Sequence, residues 1–450
     1  MSIGTPAPDA APPRLTHRSI VGYSFGAAGS AGFGTVPGLI LAIYLTNTLG
    51  VAAGLASLVV LIPKLWDVAF LPFVGTLSDR YTSRHGSRAR YLVYGAIGML
   101  ICFPLMFAVP EGTDSTVAAA WVLIAFLIAA SAFGFFQVPF IALSAEITDS
   151  PRERTTLMSW RVGLQMIGIL IFGIGAPLIV NATPQANTGY LIMGLAVGSL
   201  VTVGMLICWA SVRHLRRYVS ESSGAAHSPI QQFRAAWQSR QFRILLSAFV
   251  LQALGAGAAL AAAPYFSQNV LGVDNFGIVF GVLLVPAVLV MPLWALVGHR
   301  IGKQKGYFIA CILFIVGLVC SVAAQSFPLG LALVFITITS AGYAGMQMFP
   351  LAILPDTIAA DARETGVQRA GSFTGVWAAG ETAAFAIGPA LVLLLLAATG
   401  FVSSTGGGSV TQPASAVTGV TLAFSLLPAI LVAFSLPLIL RYSSSKTSGT

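Results

Sequence analysis

Apolar residues in this chain come in runs of twenty or more, separated by short polar punctuation. The runs fall near 20–46, 52–77, 91–110, 117–142, 157–180 and 189–211, then 242–268, 275–297, 306–326, 328–353, 372–397 and 416–440. A hydrocarbon core of roughly 30 Å needs about 20 apolar residues in an α-helix. A transmembrane barrel instead shows strands of roughly ten residues with alternating polarity. The pattern therefore predicts an all-α membrane protein with twelve crossings. Lipid offers no partner to a bare peptide group, so each crossing must satisfy its own backbone as a helix.

The polar punctuation is asymmetric. Arg14 and Arg18 precede the first run. Arg80, Arg84, Arg88 and Arg90 follow the second, and Arg152 and Arg154 the fourth. Arg213, Arg216, Arg217, Arg234, Arg240 and Arg243 lie between the sixth and seventh. Arg300, Lys303 and Lys305 follow the eighth, Arg363 and Arg369 the tenth, and Arg441 and Lys446 the last. With twelve crossings all of these lie on one side. The opposite loops carry Glu111, Asp114 and Asp274 and no basic residue. Cytoplasmic loops collect Lys and Arg, so both termini are expected in the cytoplasm and the chain in a cell (inner) membrane.

The division of the chain follows. A cytoplasmic tail is expected over 1–19 and a six-helix bundle over 20–211. A cytoplasmic central loop covers 212–241, a second six-helix bundle 242–440, and a second tail 441–450. Met1 to Arg18 lacks an apolar core and does not read as a cleaved signal peptide. A tight Gly/Arg turn recurs in each half, Gly75 to Arg80 after the second run and Gly298 to Lys303 after the eighth. Two related bundles around a midplane site are a transporter arrangement.

Composition sharpens this. Charged residues make up 8% and hydrophobic ones 56%, far from the quarter charged that soluble domains carry. The formal charge of +9 does not form a face or run, so nucleic acid is not an expected partner. Cys102, Cys208, Cys311 and Cys320 lie within apolar runs, with no metal-ligand spacing. No P-loop, phosphorylatable-aspartate motif or nucleotide fingerprint is present, and no nucleophile–base pair stands out. Neither enzyme activity nor a cofactor or metal is expected, and a gradient must supply the driving force.

Charge inside a bilayer marks function, because each such residue costs about 2.5–3.5 kcal/mol on insertion scales. Of the 23 Lys and Arg, only Lys64 and Arg161 fall outside the basic punctuation. Asp67 and Glu381 are the clear acids within runs. Lys64 and Asp67 are three residues apart and share a helix face. They read either as a self-neutralised packing pair or as an ion- or proton-responsive pair on a central cavity. Arg161 reads as an interfacial arginine or a substrate contact, and Glu381 as a packing hydrogen bond or a cavity acid. Gln137 and Gln165 are candidate hydrogen-bonders, with Tyr265, Gln268 and Gln347 behind them. Trp66 is a packing residue or a sugar-stacking platform, and Trp377 lies one turn before Glu381.

Several segments together resemble the glycoside–pentoside–hexuronide cation symporters, the melibiose-permease-like family of the major facilitator superfamily. They are Lys64, Trp66, Asp67, Pro72, Gly75, Asp79 and Arg80, then Arg84, Gly86 and Arg88; Pro139, Phe140, Glu146, Arg152, Arg154 and Arg161; Tyr265, Phe266 and Gly272; and Leu354, Pro355, Asp356, Gly366, Arg369, Trp377, Glu381, Gly388 and Pro389. The resemblance covers the membrane region. It implies a major facilitator fold of two six-helix bundles with alternating access. It also implies symport of a sugar or glycoside with a monovalent cation, by a monomer in contact with lipid. It assigns Asp67 and Lys64 to cation coupling, and Gln137, Arg161, Trp66, Trp377, Glu381 and Tyr265 to the substrate. Asp79, Arg80, Glu146, Asp356 and Arg369 become cytoplasmic gate residues.

The departures are specific. Where the family places a second sodium-binding acid this chain has Leu71, and where it places a threonine it has Gly134. Ala31, Gln137 and Thr382 replace two acids and a lysine. A sodium ion wants several hard oxygen ligands, so protons are the expected cation. The less polar cavity also leaves room for a lysolipid or other amphiphile as cargo, and a non-transporting sensor or scaffold stands as the remaining alternative.

Overall fold

A computed structural model describes residues 15–85, 88–148, 151–214, 237–273, 276–365, 370–406 and 410–442. The 212–241 loop lies mostly outside the described residues, as do both tails beyond Leu15 and Tyr442. Ten described helices are long and apolar enough to cross a membrane. The apolar helix Ala89–Leu105 is shorter. The first segment is α1 (His17–Val36), continued by π-helical turns at Pro37–Leu41 and Tyr44–Thr48. Counting both as crossings completes a set of twelve.

The N-terminal half continues with α2 (Ala53–His85), α3 (Ala89–Leu105), α4 (Ser115–Glu146), α5 (Pro151–Asn181) and α6 (Ala186–Val212). The C-terminal half holds α7 (Arg240–Asn269), α8 (Phe276–Ile301), α9 (Lys303–Cys320), α10 (Leu329–Thr365) and α11 (Ala370–Ala398). Its last crossing is broken into α12 (Ala414–Phe424), α13 (Leu426–Ala433) and α14 (Leu436–Arg441). These spans overlap the expected runs one for one. Several extend a turn or more past them on the basic side, where polar side chains reach water while the helix continues.

Packing repeats between halves. In the first, α1 packs on α5 and α6, and α3 on α4 and α6; in the second, α7 packs on α11 and the last crossing, and α9 on α10. The halves meet along α2 with α11 and α5 with α8. Lipid supplies no hydrophobic drive between helices, so close packing and small residues carry these contacts. A methyl group on Gly168 of α5 would stand 2.9 Å from the Ala28 carbonyl oxygen on α1, so only glycine permits that approach. Large aliphatic side chains such as Leu100, Ile128 and Leu289 face outward, as a lipid-contacting surface requires.

The ends away from the basic loops are joined by a polar seam. The turn after α1 is reversed at Gly50, whose φ of 68° suits a residue without a side chain. Leu49 pairs with Thr405 in an antiparallel bridge. The Ser404 and Gly406 amides each donate over 2.8 Å, to the Thr46 and Thr48 carbonyls. The Ser404 hydroxyl donates to the Asn47 carbonyl over 2.9 Å and the Ser403 hydroxyl to Val51 over 2.8 Å. Tyr265 and Thr46 share a hydrogen bond of 2.8 Å between their hydroxyls, and Asn47 donates to Gln268 over 3.2 Å. The two halves are thus closed against each other on this side.

Candidate functional site

Lys64 and Asp67 lie one turn apart, well inside α2. The Lys64 ammonium stands 5.3 Å from the ring centre of Phe33 on α1 and 5.7 Å from that of Phe126 on α4. Aromatic faces attract a cation by roughly 0.5–2 kcal/mol, more where water is excluded. Asp67 is only 6% exposed, and its buried Oδ1 has no hydrogen-bond partner among the described residues. No ion pair joins the two side chains at contact distance, although each is the charge the other feels. An acceptor left bare in an apolar interior costs about 1–3 kcal/mol, and more when charged. Such an atom is available to a ligand.

The next turn of the same face explains the departures at Leu71 and Gly134. A methyl group on Gly134 of α4 would meet Leu71 Cδ2 at 3.3 Å and Phe70 at 3.5 Å. The two substituted positions therefore face each other across α2 and α4, and the leucine side chain packs into the space left by the missing one. Hydrocarbon stands where the family resemblance placed oxygen ligands, one turn below Asp67.

Toward the basic side, α1, α4 and α5 bring polar groups together. The Ser30 hydroxyl is 2.8 Å from Gln137 Oε1 and 2.9 Å from the Gly26 carbonyl. The Arg161 guanidinium lies 5.2 Å over the Phe140 ring, and its other described contact is 3.8 Å to the Met158 sulfur. Phe140 is held by Tyr23, which stacks on it at 4.6 Å and donates to its carbonyl over 2.8 Å. Arg161 is therefore turned onto α4. Gln165, one turn along α5, is half-buried. Trp66 points elsewhere: it is about 200° around α2 from Lys64. Its indole donates to Ser131 over 2.9 Å and stacks on Phe70.

In the other half, Trp377 of α11 is buried and stacks on Phe249 of α7 at 4.1 Å. Its indole nitrogen has no partner among the described residues. Glu381 follows one turn later, half-buried, with Tyr343 of α10 within its electrostatic reach. Gln252 of α7 donates to the Met346 carbonyl over 2.9 Å and keeps a bare Oε1. Register links the halves. Gly54 on α2 lies against Ala397 on α11. The helices run antiparallel, so Asp67 is level with Ala384, and Glu381 is about 4.5 Å deeper at 1.5 Å per residue. Lys64, Asp67 and Glu381 thus occupy one layer near mid-membrane.

Tyr265 stands apart from this layer, in the outer seam with Thr46. Asp356 pairs with Lys303 at 2.6 Å, and Lys303 also donates to the Ala352 carbonyl. Both belong to the C-terminal half, so this pair joins α9 to α10. Arg80 is exposed and engaged. The side chains of Asp79 and Glu146, and all of Arg369, lie outside the described residues. Sequence reasoning missed Ser30, Phe33, Phe126, Gln252 and Tyr343. Gln252 was findable as an amide within an apolar run, and Tyr343 as the residue one turn before Gln347. The phenylalanines carry no signal of their own.

Residues 22–446 match the family described as MFS/sugar transport protein. The chain belongs to that family. As a member of the MFS/sugar transport family it is an integral, multi-pass membrane transporter rather than an enzyme. It is 28% identical over 210 residues to YagG of Escherichia coli (strain K12), a candidate glycoside/cation symporter, covering 46% of this chain and 45% of that one. It is 22% identical over 422 residues to a glucuronide carrier protein homolog of Escherichia coli (strain K12), covering 92% and 90%. Its fold matches a crystal structure of a D-xylose–proton symporter with a TM-score of 0.68, 14% identity and coverage of 95% and 97%.

Proposed function

We propose that this protein is a proton-coupled symporter for a sugar or glycoside. It works by alternating access in the cell (inner) membrane, with both termini in the cytoplasm. The observation that carries the reading is the buried Asp67 with its bare Oδ1, beside a leucine packed on Gly134. A carboxylate can take a proton without further ligands, whereas sodium needs a shell of several oxygens. The sugar class is supported by the family and by relatives named for glycosides and glucuronides.

In this reading the layer holding Lys64, Asp67 and Glu381 faces the transported molecule between the bundles. Ser30, Gln137 and Arg161 extend it on one half, and Gln252, Tyr343, Gln347 and Trp377 on the other. The outer seam closes the site on one side while the cargo exchanges on the other. The test is uptake by proteoliposomes across a panel of sugars and glycosides, with a proton or a sodium gradient imposed in turn. Accumulation under the proton gradient alone is expected. Accumulation driven by sodium alone would overturn the cation assignment.

A further inference from the structure

We infer that Lys64 is the counter-charge for an acidic group on the substrate, and that this is what binds a proton to Asp67 in the same cycle. The inference rests on the reading as a proton-coupled sugar carrier and names the class: a sugar or glycoside bearing a carboxylate or sulfonate.

The argument begins with charge balance. Lys64 with Asp67, and Arg161 with Glu381, sum to zero, so the empty carrier presents no net charge at this site. An anion arriving at Lys64 makes the group negative. One proton on Asp67 restores neutrality. Enclosing a net charge at mid-membrane costs several kcal/mol, so two occupancies close readily: the empty one, and the one holding both anion and proton. Neither ligand alone meets that condition. Symport follows without direct contact between proton and substrate. A neutral glycoside demands no proton and would pass uncoupled.

The geometry prepares Lys64 for this role. Its ammonium is not engaged by a carboxylate at contact distance among the described residues, and its described contacts are two aromatic faces. Ring faces hold a cation in place while leaving its three N–H donors for an anion. The other interior cation, Arg161, is likewise held by a ring and a sulfur. The bare Asp67 Oδ1 is where a proton would sit.

The surrounding ionisable groups add one acid and one cation to this site, Glu381 and Arg161, whose charges offset. The elements packed on α2 are α4, α11, the turn at Tyr44–Thr48 and, through Phe33, α1. On α4 the acid is Glu146, at the far basic-side end. On α1, His17, Arg18 and Tyr23 lie at that same end. Tyr44 faces Phe107 and Tyr190 near the seam. Glu381 on α11 is the remaining acid at this depth, and Tyr343 of α10 lies within its electrostatic reach.

The test uses the purified full chain with three probes: 4-nitrophenyl β-D-glucuronide, sulfoquinovose, and 4-nitrophenyl β-D-glucoside as the neutral control. Calorimetric titration in two buffers of different ionisation enthalpy counts protons taken up on binding. About one proton per acidic ligand is expected and none for the glucoside, because coupling between two ligands is reciprocal. Lys64→Met should weaken acidic ligands by about tenfold or more, roughly 1.4 kcal/mol, and abolish the linked proton. The loss is read as the ratio of acid to glucoside affinity, which should fall by that factor. Lys64→Arg should retain both properties, which separates charge from folding. Glucoside bound as tightly as the acids, no binding of either acid, or a Lys64→Met protein that keeps affinity and linked proton would each overturn the inference. Proton-driven glucoside uptake without preference for acids leaves the sugar-carrier reading standing while this one falls. Absence of proton-driven uptake for every probe removes both. A response to the glucuronide but not to sulfoquinovose narrows the acid to a carboxylate.

Discussion

The outer seam and the mid-membrane layer are both polar, and both lie where the two halves meet, yet they are built in opposite ways. In the seam, Thr46, Asn47, Ser403, Ser404, Tyr265 and Gln268 all have partners, most of them in the other half. In the layer, Asp67 Oδ1 has none among the described residues, and Gln252 Oε1 and the Trp377 indole nitrogen, within the second half, are bare as well. Satisfied polar groups hold a conformation, because separating them needs a replacement partner for each. The bare Oδ1 of Asp67 is an acceptor left open within the layer. In the seam that replacement is water at the outer surface, which makes the closure reversible. In the layer, under the proposed function, it is cargo or a proton.

The sharpest way to break this comparison is to neutralise the waiting acid. Asp67→Asn is expected to abolish proton-driven accumulation while exchange of substrate down its own gradient persists. If Asp67 serves only to balance Lys64, the substitution leaves a buried, unpaired ammonium at a cost of about 3–5 kcal/mol. Expression should then fall and be restored by Lys64→Met/Asp67→Asn. Expression, exchange and pH-driven uptake in the three proteins separate these outcomes. Full accumulation by Asp67→Asn would remove the coupling role.

A smaller effect is expected at the apolar plug. Gly134→Thr alone forces a side chain against Leu71 and should destabilise by about 1–3 kcal/mol, as overpacked interiors do. Joined with Leu71→Asp the clash is relieved and oxygen atoms return beside Asp67. Thermal melts should recover, with partial stabilisation by sodium that the unmodified protein lacks. Strong, saturable sodium stabilisation of the unmodified protein would refute the idea that hydrocarbon has replaced the ion.

The seam should yield less. Removing the shared hydroxyl bond with Tyr265→Phe costs about 0.5–1.5 kcal/mol of closure, a twofold to tenfold shift toward the outward-open state. Distances between spin labels at Leu55 and Val402 should lengthen in a larger fraction of molecules. An unchanged distribution would show that the seam does not set the balance.

The least effect belongs to a surface cap. Asp114 accepts from the Thr116 and Val117 amides at the start of α4, and these hold its carboxyl below the usual carboxylate range. The folded pKa lies below the unfolded one, so its stabilisation is present above the ordinary carboxylate pKa and fades as pH falls through the lowered value. Asp114→Asn keeps the cap and should flatten that small acid-side slope in melting temperature. An unchanged slope would place the pH dependence elsewhere.

Much of this architecture was legible before any coordinates. Twelve apolar runs and the basic punctuation follow from local rules, since each crossing partitions into lipid on its own composition. The interior charges at Lys64, Asp67, Arg161 and Glu381 stood out for the same reason: nothing around them in the chain is polar. The roles of individual residues were less legible. Trp66 reads as a packing residue or a sugar platform in sequence, and its position on α2 turns it to Ser131. Tyr265 reads as a substrate contact and lies in the seam. Asp356 reads as a gate residue and pairs with Lys303 in its own half.

What the sequence determined by itself was what one dimension can encode: which segments are apolar enough to enter the bilayer, which loops share the basic residues, and which charges are out of place among the apolar runs. What only the tertiary structure decided was adjacency. That Leu71 packs on Gly134, that Phe33 and Phe126 face Lys64, and that Thr46 meets Tyr265 depend on helices far apart in the chain. A side chain's rotation about its helix follows from local geometry. The residue it then meets depends on how all the helices pack at once, and in lipid that packing is settled by shape and a few polar contacts rather than by any periodic signal.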